Sequence, residues 1–261
     1  MYKPALEHGF TRRQFAASLG TVFSVLALTR GSLGSAADVA PASALPTGPP
    51  MKIGIIGTGR IGGALARHWA RAGHELMISS RHPDELKPLA AELGPKVSVG
   101  TPQQAAAFGE VILISTPNNA LAQIGKDYAK ELAGKIIIDT SNNGEHRDDP
   151  AAKTLAIADA EVLNSKRLVR AFNCINGYAL TTDAFRPRLR RAIPIASDDA
   201  AALEVTKRLV ADAGFDAVVV GSLASSRDFE LGEILAQRDW NASQYAQQIA
   251  RMTKPVPPAA R

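Results

Sequence analysis

This sequence predicts an α/β fold with a mostly parallel sheet flanked by helices, and three observations carry the prediction. Short β-branched apolar runs alternate with helical segments from Lys52 to Val220. A glycine-rich run, Gly57-Thr58-Gly59-Arg60-Ile61-Gly62, sits between the first apolar run and the first helical period. Polar loops rich in Asn, Ser and Thr follow the fourth, fifth and sixth apolar runs.

The elements follow in order. Lys52–Ile56 is a buried parallel strand, apolar almost throughout. Arg60 to Ala72 has helical spacing, with Ile61, Leu65, His68 and Trp69 on one face. Glu75–Ser79 is the second strand and Pro83 to Leu93 a helix whose first turn holds Asp84 and Glu85. Val97–Val99 is a short strand, and Thr101-Pro102-Gln103-Gln104 reads as a capping box with proline at the first helical position. Val111–Ser115 and Lys135–Asp139 are strands four and five, with a helix from Leu121 to Leu132 between them. Ala151 to Ala160 is helical and Leu168–Phe172 is strand six. Ala192–Ala196 and Ala217–Val220 are two further strands, joined by a helix that Asp198 or Asp199 caps. Ser222 to about Ile249 is a terminal helical segment.

A strand, a G-x-G-x-x-G turn and a helix together make a dinucleotide-binding fingerprint, so the sheet is expected to be a Rossmann-like NAD(P)-binding fold. Gly57 permits the tight turn, Gly59 lets the pyrophosphate approach the backbone, and Gly62 lets the helix pack on the strand. The anion would rest on free N–H groups at the helix N-terminus. About twenty residues on, where an acid would grip the ribose of NAD, stands Ser79-Ser80-Arg81. A guanidinium with two hydroxyls suits the 2′-phosphate of NADP, which a carboxylate would repel. The alternative for Arg81 is a solvated cation after a strand.

Three loops beyond the strand ends complete the rim where ligands of such sheets lie. They are Ser115-Thr116-Pro117-Asn118-Asn119, Asp139-Thr140-Ser141-Asn142-Asn143-Gly144 and Asn173-Cys174-Ile175-Asn176. Their amides and hydroxyls can hold a carboxamide or a flat ring, although ordinary turns use the same residues.

Composition excludes several classes. The net charge of +5 comes without a basic block interleaved with aromatics, so nucleic acid is not an expected partner. Arg186, Arg188, Arg190 and Arg191 are expected in a solvated loop. Cys174 is the one cysteine, so neither a disulfide within the chain nor a cysteine metal site is expected, and its apolar surroundings predict a buried structural thiol. The five His residues are scattered without ligand spacing.

Residues 1–37 read as a signal peptide. Arg12-Arg13-Gln14-Phe15 precedes an uncharged apolar run to Leu28, and Ser35-Ala36-Ala37 offers a cleavage site. The pair of arginines resembles a twin-arginine export signal, with Ala16 where Leu is common. A periplasmic protein that meets the twin-arginine translocase during export is expected, with an inner-membrane anchor as the alternative. Residues 38–50 would be a flexible linker, 51–221 the NADP-binding domain and 222–261 a C-terminal helical segment.

The glycine turn, Ser79-Ser80-Arg81, Asp139-Thr140-Ser141-Asn142-Asn143, Ala171-Phe172-Asn173 and Gly221-Ser222-Leu223 together resemble the NADP-dependent reductases of the deazaflavin coenzyme F-420. They are also similar to the cytosolic domain of the six-transmembrane metalloreductases. The resemblance runs from about Lys52 to Glu230 and implies roles. Thr58, Gly59, Arg60 and Ile61 would face the pyrophosphate; Ser80 and Arg81 the 2′-phosphate. Thr116, Pro117 and Asn118 would line the nicotinamide, and Asn142, Phe172 and Asn173 would border the hydride acceptor. It implies hydride transfer between NADPH and F-420 or a flavin, directly between stacked rings with no catalytic acid.

Two other functions compete. An imine, ketone or hydroxy-acid reductase would add a large helical domain with a catalytic Lys or His, and about forty residues follow the last strand. An NADP-binding sensor or partner module would bind without turnover. A homodimer is compatible with the sequence, and Tyr178, Trp240 and Tyr245 are expected to pack in the core rather than in an interface.

Overall fold

A computed structural model describes residues 47–142 and 153–253. The sheet has eight strands: β1 (Lys52–Ile56), β2 (Glu75–Ser79), β3 (Val97–Gly100), β4 (Val111–Ile114), β5 (Ile136–Asp139), β6 (Leu168–Arg170), β7 (Ala192–Ala196) and β8 (Asp216–Gly221). Their spatial order is β3-β2-β1-β4-β5-β6-β7-β8. Every pair from β3 to β6 is parallel. β7 turns antiparallel to β6, touching it at Arg170 and Ala196, and β8 runs parallel to β7.

The order reverses between β1 and β4, which places a crevice beyond their carboxyl ends. Burial on both faces explains the uninterrupted apolar runs. Val111 and Leu113 point into one core with Ile53, Ile55 and Trp69, while Ile112 and Ile114 point into another with Leu121 and Ile137. Each such fully buried side chain stabilises the fold by about 1.5–3 kcal/mol. A third, smaller core under β7 and β8 holds Cys174, Phe229, Leu235 and Tyr245.

The helices are α1 (Arg60–Arg71), α2 (Lys87–Leu93), α3 (Pro102–Phe108), α4 (Leu121–Asp127), α5 (Ala129–Leu132), α6 (Leu155–Val162), α7 (Gly177–Thr182), α8 (Ala200–Asp212) and α9 (Ala242–Met252). The Thr101 capping box forms, and Asp199 is the cap of α8, accepting from the Ala202 N–H at 2.7 Å. Asp198 instead accepts from the Leu223 N–H.

Several expectations are corrected. The helix expected from Pro83 is a 3-10 turn (Pro83–Leu86) before α2, because Pro88 in the first turn of α2 has no N–H to bond backwards. The 121–132 helix breaks at Tyr128, whose φ of −119° is not helical. The helix placed at 151–160 is α6, fixed by the Thr154 cap. The terminal segment is not one helix: a 3-10 stretch (Leu223–Phe229) and turns precede α9, which starts at an Asn241–Gln244 capping box. Tyr178 does not pack in the core but is 79% exposed, whereas Tyr245 is buried and Trp240 packs on it edge-to-face.

The arginine cluster is only partly solvated: Arg188 is exposed, but Arg186, Arg190 and Arg191 pair with carboxylates. Arg186 pairs with Asp183 and Asp239, and the buried Arg191 pairs with Asp183 at 2.7 Å. The end of the linker is bound rather than flexible. Thr47 donates to Asp212, the Pro49 carbonyl accepts from Arg208, and the Met51 N–H donates to His74 Nδ1. The signal-peptide reading lies outside the described residues. Among those residues no helix is long and apolar enough to cross a membrane.

Candidate cofactor site

The glycine turn is built around one carbonyl. The Ser79 carbonyl oxygen accepts from the N–H groups of Gly57 and Thr58, both at 3.1 Å, and from the Thr58 hydroxyl at 3.0 Å. Gly57 has φ +95°, a conformation glycine adopts without a Cβ penalty. A Cβ on Gly62 would lie 2.2 Å from the Gly57 carbonyl oxygen, so the helix can sit this close only with glycine there. At Gly59 a Cβ would meet nothing within 4 Å, so the backbone is open to a ligand. No side chain caps α1 and no acid stands in its first turn. Its first N–H groups are therefore available to an anion.

This turn forms one wall of a cleft of about 510 Å³, lined by Gly57, Thr58, Gly59, Ser80, Arg81, Thr116 and Pro117 among others. Arg81 is exposed at its lip, and no carboxylate pairs with it among the described residues. Asp84 is committed to Lys87 at 2.6 Å. The Ser80 hydroxyl accepts from the His82 N–H at 3.0 Å, which leaves its proton to donate into the cleft. Ser79 is corrected: its side chain is fully buried and donates to the Ile55 carbonyl at 2.7 Å, so it cannot reach a 2′-phosphate. Its carbonyl shapes the turn instead.

A second cleft of about 440 Å³ opens on the other side of the α1 N-terminus. Arg60, Ile61, Asn142, Asn173, Asn176 and Tyr178 line it with others. The Asn142 amide donates to the Asn173 carbonyl at 2.8 Å, and Asn173 donates to the Phe229 carbonyl at 3.2 Å. The Asn173 Oδ1 is buried and has no partner among the described residues, an acceptor available to an N–H donor. Phe172 is corrected: its ring is fully buried and meets Trp69 edge-to-face at 6.4 Å, so it supports the rim from below. Its backbone has φ +60°, which turns the chain so that Asn173 faces the cleft.

Asn118 is corrected as well. Its amide turns inward, donating to Asp159 at 2.8 Å and to Ser141 at 3.3 Å, and Asn119 lines the first cleft in its place. Thr116 and Pro117 do line that cleft, and the buried Thr116 hydroxyl has no partner among the described residues.

The inward turn of Asn118 exposes a charged cluster that sequence reading missed. Arg170 on β6 pairs with Asp139 on β5 and with Asp159 on α6, the latter at 3.2 Å. All three are buried. Asp139 also accepts from the Ser141 N–H at 2.9 Å. Burial and the neighbouring Asp139 carboxylate raise the Asp159 pKa to about 7, against the opposing pull of Arg170. No spacing rule links residues 118, 139, 159 and 170; the strand order brings them together. The only local signal was a charge in the apolar run of β6.

Comparison with known proteins agrees with this geometry. Residues 52–143 match the family "NADP oxidoreductase coenzyme F420-dependent". The chain is 29% identical to rat metalloreductase STEAP3 over 180 residues, 69% of this chain and 36% of that protein. The chain thus spans about a third of the length of the curated relatives it matches. In fold it is similar to a hypothetical protein of Sinorhizobium meliloti, with a TM-score of 0.64, 23% identity and coverage of 74% of this chain and 96% of that one. It is also similar to a candidate F420-dependent NADP reductase from Arthrobacter sp. FB24, with a TM-score of 0.57, 24% identity and coverage of 68% and 87%. Residues 52–143 are therefore similar to the coenzyme F420-dependent NADP oxidoreductase family, and the sheet they help build is of the Rossmann-like NAD(P)-binding type.

Proposed function

We propose that this protein transfers hydride between NADPH, bound in the cleft at the glycine turn, and a flat-ring acceptor of the deazaflavin or flavin class in the amide-lined cleft beside it. The observation that carries the cofactor half is the unpaired Arg81 at the lip of the first cleft, with the Ser80 hydroxyl next to it. Thr58, Gly59, Arg60 and Ile61 would hold the pyrophosphate, and Thr116 with Pro117 the nicotinamide. Asn142 and Asn173 would border the acceptor, the Asn173 oxygen meeting an N–H on its ring. No residue is assigned as acid or base. Bound there, the two rings would supply the hydride chemistry, and the residues that line the clefts would orient them.

The test mixes purified protein with NADPH and, in turn, the deazaflavin coenzyme, FMN and FAD, and follows the reduced-nicotinamide absorbance. Oxidation of NADPH with one of these acceptors is the expected result. Tight NADPH binding without turnover on any of them would replace this reading with that of a binding module. Residues 1–37 are read as an export leader; N-terminal sequencing of the periplasmic fraction, expected to begin near Asp38, tests it.

A further inference from the structure

The two clefts share a support that belongs to neither. Asn118 lies between Pro117 and Asn119, both of which line the first cleft. Ser141 precedes Asn142, which lines the second. Both side chains end on one carboxylate: Asp159 Oδ1 accepts from Asn118 at 2.8 Å, and Asp159 Oδ2 from Ser141 at 3.4 Å. Arg170, fixed on β6 and paired with Asp139 at the end of β5, anchors the same Oδ2 at 3.2 Å. Asp159 thus touches the loop after β4, the loop after β5 and strand β6 at once, and the Ser141 hydroxyl beside it meets Asn118 and Arg170 as well.

We infer that Asp159 is a positioning residue for the cofactor site, holding the loop after β4 through Asn118 and the loop after β5 through Ser141, so that the two clefts are set as a unit. The inference rests on the dinucleotide reading of the first cleft.

Its chemistry gives it a signature. An ionised Asp159 accepts a charge-assisted hydrogen bond from Asn118, roughly twice as strong as one to the neutral acid. The charged groups that face it among the described residues are Asp139 from β5 and Arg170 from β6; Asn118 and Ser141 meet it as neutral donors. When Asp159 takes up a proton the cluster becomes neutral and the hold on Asn118 loosens. The proton uptake falls near pH 7, where burial and Asp139 place this carboxyl.

The experiment measures the dissociation constant for NADPH by its fluorescence between pH 5.5 and 8.5 in the full chain, in Asp159→Asn and in Asn118→Ala. Wild-type affinity is expected to rise about fivefold as pH rises through 7. The rise should be absent in both variants once the part common to all three proteins, from the cofactor's own 2′-phosphate, is subtracted. Asp159→Asn leaves the Asp139–Arg170 pair intact and is expected to fold. Its stability relative to wild type should improve as pH rises from 5 to 8. A carboxyl whose pKa is raised by folding favours the folded state at low pH and loses that contribution as pH passes its folded value. Three superimposable pH profiles with tight binding would overturn the positioning role and leave the dinucleotide reading standing. Wild-type protein that takes no NADPH at any pH would overturn both.

Discussion

The two sides of the rim are built in opposite ways. On the glycine-turn side, binding capacity comes from backbone: one carbonyl at Ser79 ties the turn, and missing Cβ atoms at Gly57 and Gly62 make the space. On the amide-lined side it comes from side chains brought together across the fold: Asn142 donates to the Asn173 carbonyl and Asn173 to the Phe229 carbonyl, while a buried ion cluster of Asp139, Asp159 and Arg170 backs the loops of both clefts. A backbone site needs few particular residues at fixed spacing. A side-chain site needs many residues brought from distant parts of the chain. The hydrogen bonds that tie the glycine turn are made by backbone and hydroxyl groups that do not titrate near neutrality; the ion cluster behind the loops of both clefts carries a group that does.

The sharpest way to break the comparison is Arg170→Met. It leaves two buried carboxylates without their cation, and such a loss typically costs about 3–5 kcal/mol. Urea unfolding should show this loss at pH 8 and a smaller one at pH 5.5, where Asp159 holds a proton. An equal loss at both pH values would mean that the cluster stabilises by packing rather than by charge.

On the other side the corresponding change is Arg81→Ala. Loss of one charge-assisted contact to the 2′-phosphate should weaken NADPH by about 1.5–3 kcal/mol and leave NADH nearly unchanged, with no effect on stability. Calorimetry with both dinucleotides checks it, and equal losses for the two remove Arg81 from the phosphate. Gly62→Ala should cost about 1–3 kcal/mol in stability, since its Cβ would stand 2.2 Å from the Gly57 carbonyl. It should also weaken both dinucleotides alike, because the turn that both use must shift.

This contrast also explains what was legible in the sequence. All eight strands, the glycine turn and the caps at Thr101 and Asp199 could be read, because each depends on neighbours within about ten residues. Ser79, Asn118 and Phe172 were assigned to the ligand because they sit beside residues that do face it. Side chains on a strand alternate, and Ser79 falls on the buried register while Ser80 does not. Phe172 turns inward because its positive φ reorients the chain before Asn173. Asp159 had no local signature at all: it is a helical residue whose partners lie on the β4 loop, on β5 and its loop, and on β6. The reversal of β7 was hidden for the same reason, since β6 and β7 meet at a single residue pair.

The smallest effect probes the lip itself. Glu85 is exposed and lines the same cleft as Arg81, so the lip carries one charge of each sign. If Arg81 alone reads the adenosine ribose, Glu85 only repels the phosphate across solvent. Glu85→Gln should then tighten NADPH by less than about threefold, with the gain vanishing at about 1 M salt, where exposed charges are screened within about 3 Å. NADH should be indifferent. If Glu85 instead accepts from the ribose hydroxyls of the unphosphorylated cofactor, the same substitution weakens NADH, and the loss persists in salt because a direct hydrogen bond is not screened away. The two cofactors therefore move in different directions under the two roles. Titrating both at low and high salt decides whether the lip is a phosphate clamp or serves either dinucleotide.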